Sequence, residues 1–300
     1  MGRIAWIALS SAVTLLIVGI AAGALALSGG GTRTATSSGA TPTGEFRPFT
    51  LPLASDPSAL MLAKHDRDLL VGIAARPGGP VEVVALRGES PARGQIVLRV
   101  NGRAVGSRSC GVACTRADVS VLRGTPARLA IQAGSSSLSF ELPARLPPTA
   151  TAAFAGIQRR MDALRSFRYV EMLTSGKGGV LTHYDVQAPN RLRLRTSSGY
   201  RAVYIGHTQW NFLGGRWEKN SFPGLTVSQV FMWTGASHAR KLGPSTLTAY
   251  RGGEVPAWFR LVVNRKGYVV RGEMVAPSHF MFHRYGTFNG PVSITPPTRK

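Results

Sequence analysis

Acidic side chains are scarce in this chain: 14 Asp and Glu stand among 300 residues, against 36 Lys and Arg, for a formal charge of +22. So few carboxylates leave little material for paired-acid catalysis. Also missing are a glycine-rich phosphate loop, a nucleophile elbow, an HExxH helix and a persuasive Cys–His pair. The chain is therefore expected not to be an enzyme. Lysine is rare too, 6 residues against 30 Arg. Nucleic-acid binders gather positive charge on a helix or in a short run. Here the arginines are spread along predicted strands, as in RLRLR (191–195), so nucleic acid is not an expected partner.

Cysteine is nearly absent, with only Cys110 and Cys114, in CGVAC. On a straight strand these would lie ~13 Å apart, whereas a disulfide prefers a Cα separation of ~5.5–6 Å. A bridge therefore requires a turn, which Gly111 eases. A thiolate pair for copper is the other reading of this spacing.

Charge is wholly absent from Ile4 to Leu27, a mainly aliphatic run. A helix of ~20 apolar residues spans a bilayer, and cleaved signal peptides have shorter apolar regions of ~7–15 residues. Residues 1–27 are read as a single transmembrane anchor. Arg3 lies on one side and Arg33 on the other, and the bulk of the chain is expected outside the cytoplasm. An oxidising exterior favours the disulfide. Residues 28–49 are Gly, Ser, Thr and Pro with few large apolar groups, a flexible tether.

From 50 to 147 the pattern is short, alternating or continuously apolar runs between turn signals, among them DLLVGIAARPGG, PVEVVALRG and PARLAIQAG, with Asn101-Gly102 marking a hairpin. This predicts an all-β, immunoglobulin-like sandwich. The period changes after Pro147-Pro148. Phe154, Ile157, Met161 and Leu164 fall at helical spacing, which predicts an amphipathic helix over 151–166. Strands then return, with a short helix predicted over 225–233. The region 148–300 thus reads as α+β, and the chain as a whole as mostly β.

The run DALRSFRYVEML, then YDVQAPNRLRLR, then YIGHTQWNFLGGRWEK resembles the LolA-like lipoprotein-carrier superfamily. The resemblance implies an open half-barrel wrapped around a helix, with an apolar concave face that takes acyl chains. Carried onto this chain, it makes Phe154, Ile157, Met161, Trp210, Trp217, Trp233 and Trp258 candidate pocket residues, with arginines about the mouth to favour anionic headgroups. A narrower resemblance, on CGVAC, PAWFRLVV and HFMFHRY, is to the extracytoplasmic C-terminal region of actinobacterial membrane copper-resistance proteins. On the strand SHFMFHRY, alternation puts His279, Met281 and His283 on one face. With Met274 from the preceding strand these make a candidate copper site. The favoured reading of the same face is the wet side of an ordinary strand, with Phe280 and Phe282 in the core.

The expected function is non-enzymatic binding of a lipid or other apolar ligand at the cell envelope, without a resident cofactor unless copper is bound. A copper-binding accessory role and a structural adaptor for a membrane protein partner are the alternatives.

Overall fold

A computed structural model describes residues 49–176, 178–253 and 255–298. The expected anchor, and the tether up to residue 48, lie outside the described residues. Among the described residues no helix is long and apolar enough to cross a membrane.

The first part of the chain folds into ten strands: β1 (Leu60–Asp66), β2 (Leu69–Ala75), β3 (Pro80–Arg87), β4 (Ser90–Pro91), β5 (Ile96–Val100), β6 (Arg103–Val105), β7 (Arg108–Gly111), β8 (Cys114–Asp118), β9 (Ala127–Ala133) and β10 (Ser136–Leu142). They form two antiparallel sheets, one in the order β1-β2-β3-β8-β7 with β4 beside β3, the other β10-β9-β5-β6. Leu69, Val71 and Ile73 of β2 and Val81 and Val83 of β3 meet Leu98, Leu129, Ile131 and Phe140 of the facing sheet. The β5–β6 turn uses Asn101 and Gly102, both at positive φ (49° and 83°), as the Asn-Gly signal predicts. Cys110 and Cys114 are disulfide-bonded across the β7–β8 hairpin, their Cα atoms 5.1 Å apart. The turn that the spacing demanded is present.

The helix α1 (Thr151–Asp162) opens the second part. Eleven strands follow: β11 (Ser166–Thr174), β12 (Gly179–Gln187), β13 (Arg191–Thr196), β14 (Arg201–Ile205), β15 (Thr208–Leu213), β16 (Arg216–Ser221), β17 (Ser237–Lys241), β18 (Thr246–Arg251), β19 (Ala257–Val263), β20 (Val269–Ala276) and β21 (His279–Gly286). They make one antiparallel sheet, ordered β16-β15-β14-β13-β12-β11-β21-β20-β19-β18-β17. Two meanders therefore join where the last strand pairs with the first, and β16 and β17 are left as open edges. Period-2 alternation sends Phe167, Tyr169, Tyr184, Leu192, Leu194, Phe259 and Met281 to one side. There Ile157 and Met161 of α1 complete the core.

The predicted helix over 225–233 is corrected to a single 3-10 turn, Val227–Val230. The reason is physical: Leu225, Val227, Val230, Phe231, Met232 and Trp233 are all buried. A regular helix would spread these six side chains all round its axis, so no single helical face could bury them together, while Thr226, Ser228 and Gln229 stay outside.

The two parts share a third apolar cluster. Met61, Leu70, Ala74, Val84 and Leu86 on the outer side of β1–β3 pack against Tyr250, Trp258, Val275 and Phe280 on the outer side of the long sheet. This explains why β2 reads LLVGIAA without alternation: both of its faces are covered. Gly72 matters here, because a Cβ at that position would collide with the Trp258 ring. The buried Arg240 guanidinium donates to the carbonyls of Ala59 (3.1 Å), Pro147 (2.8 Å) and Pro57, so one side chain ties both parts to their connector.

Candidate functional site

The long sheet has two working faces. Its inner face is apolar and roofed by α1 and by the segment 222–236, whose only local order is the 3-10 turn and a second turn over 232–235. Trp233, 0% exposed, lies at the centre of this roof. Its ring stacks on Phe231 at 5.2 Å and meets Tyr285 edge-on at 5.6 Å, while Phe231 stacks on Phe167 at 5.4 Å. The Trp233 indole Nε1 is buried without a hydrogen-bond partner.

Under that roof runs a buried polar chain. The Tyr184 hydroxyl donates to Glu171 Oε1 (3.1 Å), Glu171 Oε2 lies 2.7 Å from His283 Nε2, and His283 Nδ1 lies 2.6 Å from the Tyr285 hydroxyl. One proton arrangement satisfies every member: His283 donates from Nε2 to the carboxylate and accepts at Nδ1 from Tyr285. His283 is 2% exposed and Glu171 7%. Burial, with Glu171 adding its negative charge, pushes the Tyr184 and Tyr285 hydroxyls above their ordinary range, so both stay protonated donors.

The seven candidate pocket residues do not share one pocket. Ile157, Met161 and Trp233 are buried on the inner face, and Phe154 packs against that core from its edge. Trp258 lies on the outer face, inside the contact between the two parts. Trp210 and Trp217 also lie on the outer face, opposite Lys219 on β16 and Phe212 on β15 respectively. Strand parity decides this: in β14 and β15, Tyr204 and Gln209 turn inward, so Val203 and its partner Trp210 turn outward.

The candidate copper residues are only partly brought together. Met281 and Met274 are cross-strand partners and both buried, with His283 two residues along on the same face. Both His283 nitrogens are taken by Glu171 and Tyr285, however, and His279 Nδ1 lies 3.0 Å from the Pro277 carbonyl oxygen. The two cysteines are joined to each other. Among the described residues no cluster of three or more His, Cys, Asp or Glu side chains could hold a metal. The reading of this strand's histidine side as a wet exterior is corrected too: Phe280 faces the sandwich, while Met281 and His283 face the inner core.

The outer face carries what sequence reasoning missed. On strands β11–β14 and β21, beyond the sandwich contact, lies an open cleft of about 850 Å³, bordered by residues 295–298. Its floor is basic, with Arg168, Arg193, Arg195, Arg201 and Arg284 and the single carboxylate Asp185. The arginines therefore stand on the sheet's outer side rather than at a mouth of the inner one. The chain beyond β21 is held there by Ile294, which is 0% exposed; its N–H donates to Gln187 Oε1 (2.9 Å) and its carbonyl accepts from Arg191 (2.7 Å). The missed signal was the RLRLR alternation, which puts three arginines on one face of β13.

Fold and site together define a two-part, mostly β protein: paired sheets docked on the outside of an open, helix-roofed half-barrel. No family model matches the chain, and no curated protein matches it. Among solved structures it is similar to the Mycobacterium tuberculosis lipoprotein LppX, at 14% identity and TM-score 0.36, over 48% of this chain and 97% of that one. It is also similar to LprF from Mycobacterium bovis, at 10% identity and TM-score 0.34, over 50% of this chain and 99% of that one.

Proposed function

We propose that this protein is a non-enzymatic, extracytoplasmic binder of an apolar chain, such as an acyl group, tethered to a membrane by the apolar segment 4–27. The ligand enters the inner face of the half-barrel by displacing the 222–236 segment. One observation carries this reading: eleven hydrogen-bonded strands wall the apolar concavity, but α1 and an irregular aromatic segment roof it. Without ladder hydrogen bonds the segment is held mainly by apolar burial, which a bound apolar chain can replace. Each ligand methylene buried is worth ~0.8 kcal/mol, which offsets the exposure of Phe231 and Trp233. The Tyr184–Glu171–His283–Tyr285 chain is buried under the aromatic roof, and its hydrogen bonding is that of a satisfied structural network.

The sandwich is read as immunoglobulin-like. The neighbours β2-β3-β8-β7 and β10-β9-β5-β6 follow the A-B-E-D and G-F-C-C′ order of that fold, with β1 added outside. Its role here is to hold the half-barrel through the Trp258 contact.

The test is photocrosslinking of the purified full chain with a diazirine-bearing fatty acid, followed by peptide mapping. Adducts on Tyr169, Leu194, Met281 and the 222–236 segment are expected. Replacing Phe231 and Trp233 with Ala should raise the yield several-fold, since the competing side chains are gone. Adducts confined to residues 1–27, or spread over both parts, would overturn the proposal.

A further inference from the structure

We infer that the basic cleft on the outer face is a second binding site, for a ligand bearing phosphate. Strand register arranges its side chains in two transverse rows. Arg284, Val170, His183, Arg195 and Arg201 are successive cross-strand partners in one row, and Arg168, Asp185 and Arg193 in the next. Strands lie ~4.8 Å apart and same-face neighbours ~6.7 Å apart. Arg193, Arg195 and Arg201 thus stand as near neighbours on one face of two adjoining strands, within reach of one phosphate for side chains of this length.

Three features separate this cleft from an ordinary solvated face. First, its only carboxylate is saturated. Asp185 Oδ1 accepts from Arg168 (2.9 Å), and its Oδ2 accepts from Arg193 through both Nε (2.9 Å) and Nη2 (2.6 Å). Among the described residues Arg195, Arg201 and Arg284 form no ion pair. Second, Arg195 stands directly opposite Arg201. Like charges in that relation destabilise a sheet, and a bound dianion removes the cost. Third, Arg201 is held in place: its guanidinium lies over the Phe212 ring at 3.6 Å, with Trp217 at 5.8 Å. A guanidinium ordered before binding loses less entropy when it grips a phosphate, and its fork fits two oxygens at once. The cleft volume of about 850 Å³ admits a small organic phosphate whole.

Two sources share this chemistry: soluble phosphate compounds and the headgroups of anionic phospholipids. Titration calorimetry on the full chain in neutral detergent, with pyrophosphate and with glycerophosphoglycerol (the deacylated phosphatidylglycerol headgroup), tells them apart. Preference for pyrophosphate assigns the cleft to soluble polyanions, and preference for the phosphodiester assigns it to lipid headgroups. In either case Arg195→Gln with Arg201→Gln should weaken binding roughly tenfold per arginine. Arg195→Lys with Arg201→Lys keeps the charge and folds under the same constraints, and it should lose most of that affinity because the forks are gone. Arg99→Gln with Arg103→Gln, which removes equal charge from the sandwich, should change nothing. Binding of neither probe overturns the inference. So does binding that the lysine pair retains in full, or that the sandwich pair weakens equally, since a diffuse positive field would then suffice.

Discussion

At the scale of single residues, the buried histidine is the most exacting feature. His283 satisfies Glu171 and Tyr285 together, so His283→Leu leaves a carboxylate oxygen and a hydroxyl unpaired inside the core. Each orphaned group costs about 1–3 kcal/mol, a loss expected in the urea midpoint. Glu171→Leu combined with His283→Leu should cost less than the two single losses added, because neither variant then strands the other's partner. Additive losses would show that the pair is not coupled. Alternation alone made part of this legible. Glu171 shares parity with Phe167 and Tyr169, an acid at a core position in a chain with few acids. Its pairing with His283, 112 residues away, needed the β11–β21 register, which no local pattern encodes.

His65 supplies a second prediction at this scale. Its ring stacks on Phe280 at 4.0 Å where the two parts meet. Burial there lowers its pKa below the ordinary 6.5, and the weaker pull of the Arg67 backbone, Asp66 and Glu273 runs the other way. The unfolded chain therefore takes up a proton before the folded one does. The His65 contribution to stability is full above about pH 6.5 and is lost as the pH falls from there toward the depressed folded value. His65→Phe keeps the stack and removes the proton. Its stability relative to the parent should rise as the pH drops below about 6.5, in thermal melts run at a series of pH values. A constant difference would contradict the assignment.

At the scale of elements, most strands were readable because alternation and turn chemistry agree with tertiary burial. β12 and β13 alternate cleanly, and the Asn101-Gly102 turn adopts the conformation its residues favour. β2 did not alternate, and its unbroken LLVGIAA run is now explained by cover on both faces. The predicted helix over 225–233 failed because its apolar residues face inward all round. Trp258 was misassigned because a sequence cannot say which side of a sheet receives the neighbouring part. That assignment is testable through Gly72. Gly72→Ala places a methyl against the Trp258 ring and should cost about 1–3 kcal/mol by overpacking. Adding Trp258→Phe should recover part of that loss, as read in paired denaturation curves. No recovery would mean the two residues do not press on each other.

At the scale of the whole molecule, one eleven-stranded sheet divides three tasks between its faces. The inner face is covered by an aromatic roof, part of the outer face is fastened to the sandwich, and another part carries the arginine cleft. The charge of +22 was visible in the composition, but its gathering on one sheet face was not, because neighbours in the cleft come from five strands spread over 168–284. The central claim is that the inner face opens to admit an apolar chain. Hydrogen exchange of the full chain, with and without oleate, tests it most directly. The account expects oleate to speed exchange in 222–236 as that segment is displaced, while β11–β14 stay protected. Unchanged exchange in 222–236 at saturating oleate would contradict it.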